Sequence, residues 1–501
     1  MSAAAVRSVR ERDLPAGPWP ALAGLVVLAA VLRLATLGLQ SIWFDEAATW
    51  QLTQLPFGDM LRALPHRESN PPLFYVLEWL TVRAAGDGEV GLRLVSALAG
   101  IALVPVAFAL GRRIGGARAG LATAALIAVN PLLIWFSQEA RSYELVALLS
   151  AAGLLLFLHA LDDPRPRLLA WWTLLSALAL CSHYFACFVL APQLVWLLWR
   201  HPRRGAVLAS VAALAVVAAA LLPLLLAQRD NPYDIAGAAV ATRLAQIPKQ
   251  FLLGYRGPGA LPTGILGAAL VAGGLWLLAR HAERRVRERA LLVGAIGLCG
   301  LALPLAGAVV GADYLNARNL IPAVVPLAAA IATGFATVAP GRGARAGLAL
   351  LTALCALSVA VVIAVAADKQ YQRPDWKGLA QALGDAPEDR AVVVSPANGV
   401  VALRYYRREL RMVPWAGLPL RAVDVVTVAS SPGPGDPPVL PPQVGSALPD
   451  GAWGPPRRTR TSTYELLRFR QPTPTVVVPE RVAAVRFSQL PPAVDLLPAG
   501  R

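Results

Sequence analysis

Apolar runs of about 18 to 25 residues recur along the chain, each long enough to cross roughly 30 Å of hydrocarbon as a helix. They lie at 19–39, 91–111, 117–136, 143–161, 168–182, 184–200, 205–227, 262–280, 289–311, 316–338 and 343–367, which predicts eleven membrane spans. A shorter stretch, 72–86, opens on Pro71-Pro72 and carries Glu78 and Arg83, so it suits an interfacial or half-inserted helix. Arginine placement supports that count. With the N-terminus inside, Arg112, Arg113, Arg118, Arg165, Arg167, Arg200, Arg203, Arg204, Arg280, Arg284 and Arg285 fall in inner loops, while the outer turns near Ser137, His183 and Asp313 are nearly free of basic residues. Counting 72–86 as a span would reverse that asymmetry.

Two long outer loops, 41–90 and 228–261, interrupt the bundle. Phe57, Met60, Leu61 and Leu64 in the first, and Leu244, Ile247, Phe251 and Leu252 in the second, recur at a helical period suited to lying on the membrane surface. Past residue 367 acidic residues become frequent. There 375–383 and 399–406 read as helices, 391–395 as a strand, and the run from Ala429 to Gly445 as a Pro-rich linker. The expected architecture is an all-α polytopic membrane domain, 1–367, and a small extracytoplasmic α/β domain, 368–501.

Composition agrees with lipid as the main solvent: 56% of the 501 residues are hydrophobic and only 15% charged, against about 25% in soluble chains. A formal charge of +16 favours anionic headgroups or phosphate-bearing substrates. Nucleic acid is a poor partner, since no basic stripe is interleaved with aromatics. The four cysteines (Cys181, Cys187, Cys299 and Cys355) sit in apolar runs without metal-ligand spacing and read as free thiols.

Chemistry concentrates on the outer side. Trp43-Phe44-Asp45-Glu46 follows the first span, and two carboxylates at a membrane surface are costly unless partnered. Read as an extended segment, the pair would aim only one carboxylate at a given pocket. That carboxylate is either a general base or part of a helix cap. Asn70-Pro71-Pro72-Leu73 comes next, then Gly91-Leu92-Arg93 at the start of the second span, and Ser137-Gln138-Glu139-Ala140-Arg141-Ser142-Tyr143 at the outer end of the third.

This ordered series resembles the GT-C glycosyltransferases, in particular the dolichyl-phosphate-mannose protein mannosyltransferase-like group that includes the lipid A aminoarabinose transferases. The resemblance covers about residues 19–340 and departs at Asn70, where the family pattern has His. It implies inverting transfer of a sugar, mannose or similar, from a polyprenyl-phosphate donor to an extracytoplasmic acceptor (protein, glycan or lipid) by an enzyme of the cytoplasmic membrane. It makes Asp45 the catalytic base and Glu46 its supporting, acceptor-contacting neighbour. Arg93 becomes an organiser of the site, and Arg318, beside Tyr314, a partner for the lipid phosphate. Glu139, Arg141 and Tyr143 resemble the family's outer pocket segment; by position alone Glu139 and Arg141 could equally pair with each other. His183 reads either as an interfacial side chain or as a pocket residue. Arg33, inside the first span, either snorkels outward or serves a function. No organic cofactor and no metal ligand set is implied, although some relatives use a divalent ion. A transporter or flippase, or a non-catalytic scaffold of the same fold, are the rival readings; against transport, no inverted repeat or paired broken helices are visible.

Overall fold

The structure, a computed structural model, describes residues 17–229, 239–336, 342–385, 387–414, 416–429, 440, 453–483 and 493–499. The Pro-rich run expected between Ala429 and Gly445 lies almost wholly outside these residues.

Among the described residues, seven helices are long and apolar enough to cross a membrane: Glu89–Gly115, Tyr143–Ala160, Gly205–Gln228, Ala260–His281, Arg284–Val309, Ala317–Ala336 and Ala344–Ala367. A bent pair, Ala117–Val129 and Pro131–Ser137, forms an eighth if counted as one span, and three shorter apolar helices occur at Trp19–Leu34, Pro166–Ser182 and Ala186–Arg200. The chain is therefore a multi-pass membrane protein. Large apolar side chains such as Val216 and Leu348 stand exposed on the outermost helices, which only hydrocarbon makes tolerable. The 72–86 stretch forms a helix, Leu73–Ala85, that is not among these spans. Phe57–Arg67 and Val240–Leu253 are helices as their periodicity predicts.

The bend in the third apolar run has a local cause that the sequence reading passed over. Pro131 has no N–H for the Ile127 carbonyl and cannot continue the preceding helix. Asn130 starts a new one, its side chain accepting from Leu133 N at 3.0 Å and donating to Phe251 O at 2.8 Å. The two axes diverge by 57°.

The chain divides into two compact units. The first comprises Met1–Leu37 and Thr53–Ile363; the second comprises Gly38–Leu52 and Ala364–Arg501. In the first, the helices pack around small residues. Asp162 accepts from Arg113 and, at 2.9 Å, from Arg289, tying together the ends of three helices.

In the second unit a six-stranded mixed sheet runs in the order β2-β6-β1-β3-β5-β4. The strands are β1 (Arg390–Ser395), β2 (Arg411–Met412), β3 (Leu418–Val428), β4 (Arg457–Arg460), β5 (Tyr464–Val477) and β6 (Ala493–Leu497). Only β1 and β3 pair in parallel, Val393 opposite Val425. Val-rich β1 is buried along its whole length, the usual pattern of a central strand. Asp424 on β3 is buried and is answered by Arg468 (2.8 Å) and Arg390 (3.3 Å). Asp495 on β6 takes both ends of the Arg404 fork, at 2.6 and 2.7 Å. Helices Trp376–Leu383 and Gly399–Tyr406 accompany the sheet, the first capped by Asp375, which accepts from Gly378 N at 3.0 Å.

Candidate functional site

The residues singled out in the sequence fall into two groups, one in each unit. In the first unit, the break at Asn130-Pro131 leads through helix Pro131–Ser137 into a turn, Gln138–Ser142, before helix Tyr143–Ala160 begins. Gln138 stitches that turn to the end of the first helix, donating to Leu32 O (3.2 Å), Arg33 O (3.1 Å) and Thr36 Oγ1 (2.7 Å). From helix Glu89–Gly115, Ser96 Oγ donates to Arg141 O at 3.0 Å. One turn earlier on that helix, the fully buried Arg93 donates to Leu37 O at 2.7 Å. Arg93 thus holds the exit of the first helix.

Arg141 points its Nη1 at both oxygens of Glu68, 2.8 and 2.9 Å away, and both side chains are buried. Glu68 is the carboxylate that Arg141 grips, and sequence reading missed it because it lies 73 residues upstream. Arg141 and Arg318 both act on His183. Burial first, and these two cations second, drive the imidazole down to about 3, so it is neutral at physiological pH. Tyr255, another residue not anticipated, donates to Asn316 Oδ1 at 2.7 Å and lies within the fields of Arg318 and Glu139; burial is the main reason its phenol is pushed up. The same Asn316 oxygen accepts from Arg318 N at 3.2 Å, starting the 3₁₀ helix Ala317–Ala323. Aromatic rings bind the group together: Phe136–Tyr143 centroids lie 4.8 Å apart, Tyr143–His183 5.7 Å, and Phe185–Tyr314 6.5 Å. Tyr314 itself is exposed at the margin.

The structure therefore gathers Glu139, Arg141, Tyr143, His183 and Arg318 in one unit and adds Glu68, Tyr255 and Asn316. Beside them Arg243 forms two hydrogen bonds to the carboxylate of Asp313 and donates to Leu315 O at 2.6 Å. The Arg243 hydrogen bonds hold the Asp313 carboxyl below its usual range. Arg33 does not snorkel; it is completely buried and donates to Ser137 Oγ at 3.0 Å.

In the second unit, Asp45 and Glu46 are not extended but occupy the first turn of helix Phe44–Thr53. This corrects the sequence expectation. Two carboxylates following Trp43 suit a helix N-terminus, where they complement the macrodipole. Successive helical residues still point about 100° apart, so the two carboxylates diverge. Glu46 accepts from Trp43 N at 3.4 Å, half of a capping box, and lies 4.0 Å from the guanidinium of Arg373. Asp45 is buried, and Thr49 Oγ1 donates to its carbonyl at 3.2 Å. The segment is anchored by Ile42 N donating to Tyr406 Oη at 2.7 Å and by Trp50 packing edge-on against Tyr405. A cavity of about 290 Å³ lies beside it, lined by Ser41, Lys369, Arg373, Asp375, Lys377 and Gln381 among others.

Among the described residues no group of three or more His, Cys, Asp or Glu side chains is placed to hold a metal ion.

Residues 69–227 match the family described as dolichyl-phosphate-mannose-protein mannosyltransferase. No curated protein matches the sequence. Among solved structures, the chain is similar to ArnT from Cupriavidus metallidurans in the apo state (15% identity, TM-score 0.53, covering 81% of this chain and 92% of that one). It is also similar to ArnT bound to undecaprenyl phosphate (15% identity, TM-score 0.51, 77% and 84% covered). The arabinofuranosyltransferase AftD from Mycobacteria aligns with 96% of this chain at 16% identity and a TM-score of 0.51, and the match spans 40% of AftD.

Proposed function

Because this chain has the fold of the GT-C membrane glycosyltransferases, we propose that it transfers a sugar, mannose or a similar hexose, from a polyprenyl-phosphate carrier to an extracytoplasmic acceptor. The observation that supports the reading is the run of ring contacts that joins Tyr143 to His183 (5.7 Å), His183 to Phe185 (5.5 Å) and Phe185 to Tyr314 (6.5 Å), linking the segment of Arg141 to that of Arg318. Two guanidiniums on such a cluster suit a phosphate group, which an arginine fork can bind through two hydrogen bonds. ArnT, solved with undecaprenyl phosphate, has the same fold.

In the proposed reaction the Asp45 carboxylate accepts the proton of the acceptor hydroxyl or amine. The oxygen or nitrogen attacks the anomeric carbon from the face opposite the phosphate, and the bond from that carbon to the phosphate oxygen breaks. The electron pair leaves on the carrier phosphate, whose growing charge Arg318 and Arg141 offset. Inversion follows from the single displacement. Glu46 supports the base by capping its helix.

Membranes supplied with a radiolabelled polyprenyl-phosphate sugar should release free carrier phosphate and label an acceptor. Arg318→Ala should raise the apparent KM for this donor, and Arg318→Lys should recover only part of it, because an ammonium offers a point charge instead of a fork. An unchanged donor KM in Arg318→Ala would remove Arg318 from the site.

The orientation rests on arginine asymmetry and on a parity argument. Segment Gly38–Leu52 and the C-terminal sheet share one compact unit, so an even number of crossings must separate them. The ten spans expected after the first meet that condition. Reporter fusions after Arg118, Arg204 and Arg287 should be cytoplasmic, and fusions within the C-terminal sheet external. An external signal after Arg118 would invert the proposed topology.

A further inference from the structure

One buried arginine near the end of helix Trp19–Leu34 hydrogen-bonds the residue that opens the stretch carrying Glu139, Arg141 and Tyr143. Arg33 is fully buried in helix Trp19–Leu34, and so is Glu144, the first residue beyond Tyr143. Arg33 Nε donates to Ser137 Oγ at 3.0 Å, immediately before the stretch. The carboxyl of Glu144, immediately after it, lies at the same node: Ser137 Oγ, Arg33 Nε and Glu144 Oε2 all come within 3.0 Å of one point beside Gly100. The remaining donors reach Ala128 O (2.8 Å) and Ile127 O (3.2 Å), with a long contact to Ala29 O (3.4 Å). Ile127 O is the carbonyl whose helical partner would have been the missing N–H of Pro131. Arg33 therefore answers the helix break as well.

Room for this node comes from Gly100 on helix Glu89–Gly115. A Cβ there would overlap Ser137 Oγ and lie 2.8 Å from Arg33 Nε and 3.0 Å from Glu144 Oε2. A buried guanidinium in a helix bundle is a poor source of stability, since apolar side chains of similar volume fill such space at least as well. A planar fork can do what hydrocarbon cannot: hold two carbonyls and a hydroxyl at fixed angles across a break in a helix.

We propose that Arg33 is a positioning residue that braces 137–144 from beside Glu144 and so aims Glu139, Arg141 and Tyr143 at the donor. The role assigned to those three side chains rests on the function proposed above; the brace itself does not. With its donors turned to the protein interior, Arg33 acts on the donor only through this stretch.

Three variants test it in the full-length protein: Arg33→Gln, the double variant Arg33→Gln with Glu144→Gln, and Arg33→Lys. The single Gln variant removes the fork and its bonds to Ser137 Oγ and the Ile127 and Ala128 carbonyls, and should melt at a lower temperature. The double variant removes both ionisable groups of the node and should be at least as stable as the single. If the fork positions the turn, turnover should stay low in the double variant, by up to about 10²-fold, the scale of a 1 Å misplacement. Hydrogen exchange at 138–142 should rise in both Gln variants relative to the other outer turns. Arg33→Lys keeps a charge for Glu144 but loses the fork, and should show the same lowered kcat in a well-folded protein even if the double variant fails to insert.

Turnover that returns together with stability, in the double variant or in Arg33→Lys, would overturn the proposal. So would unchanged exchange at 138–142. A wild-type protein that releases no carrier phosphate would sink the function proposed above, and the exchange comparison would then decide the brace by itself.

Discussion

Replacing Asp45 with Asn should lower turnover by a factor of about 10² or more, the usual contribution of a general base, while the protein still inserts, purifies and melts almost normally. Asn keeps the size of the side chain and can still serve the first turn of helix Phe44–Thr53. At the helix N-terminus it gives up the attraction of a charge for the dipole, about 0.3–1 kcal/mol. Glu46→Gln should show the opposite pattern. Its carboxylate is fully buried, accepts from Trp43 N and faces the buried Arg373. Neutralising it weakens the balance of charge at a buried guanidinium, so stability should fall more than turnover does. The decisive comparison is turnover against melting temperature in the two variants. Nearly full turnover in Asp45→Asn, or a melting loss as large as that of Glu46→Gln, would reduce Asp45 to a helix cap.

The second large effect belongs to Glu68. Removing its side chain (Glu68→Ala) takes away the carboxylate to which Arg141 donates at 2.8 and 2.9 Å and leaves the cation buried. Breaking such a pair from one side costs about 3–5 kcal/mol, and thermal melting in detergent would show it. Adding Arg141→Met to Glu68→Ala should restore much of that stability without restoring donor use, because the cation assigned to the phosphate is then gone. A Glu68→Ala protein that melts like the wild type would mean that the charge of Arg141 is balanced without Glu68.

The membrane elements were legible in the sequence because hydrocarbon imposes one rule on every span: a long apolar helix. The same rule hid the break at Asn130-Pro131, since residues on both sides of it are apolar and the run reads through. Asp45 and Glu46 stood out as charges where charge is expensive, but their backbone was misread as extended; Trp43 gives no capping signal from its side chain, and the cap comes from Glu46 reaching backward. Glu139, Arg141 and Arg318 were singled out through the order of the family motifs. Glu68, Tyr255 and Asn316 were not, because their partners lie tens of residues away and nothing local marks the pairing. In the C-terminal unit, the helices and first strand followed from periodicity. Strands β3, β5 and β6 are pinned by Asp424 and Asp495, whose arginine partners are defined only by the folded unit.

That Gly38–Leu52 belongs to the C-terminal unit has a consequence for biosynthesis. Ile42 hydrogen-bonds Tyr406, 364 residues later in the chain. At about 5–20 residues per second, the ribosome needs roughly 20–70 s to deliver that partner after the segment itself emerges. For all that time the stretch that carries Asp45 has left the first helix without the sheet that orders it. The bundle must be inserted, helix by helix, before this short region is completed, and a chain truncated before the sheet would leave its Asp45 turn unfinished however well its spans were inserted.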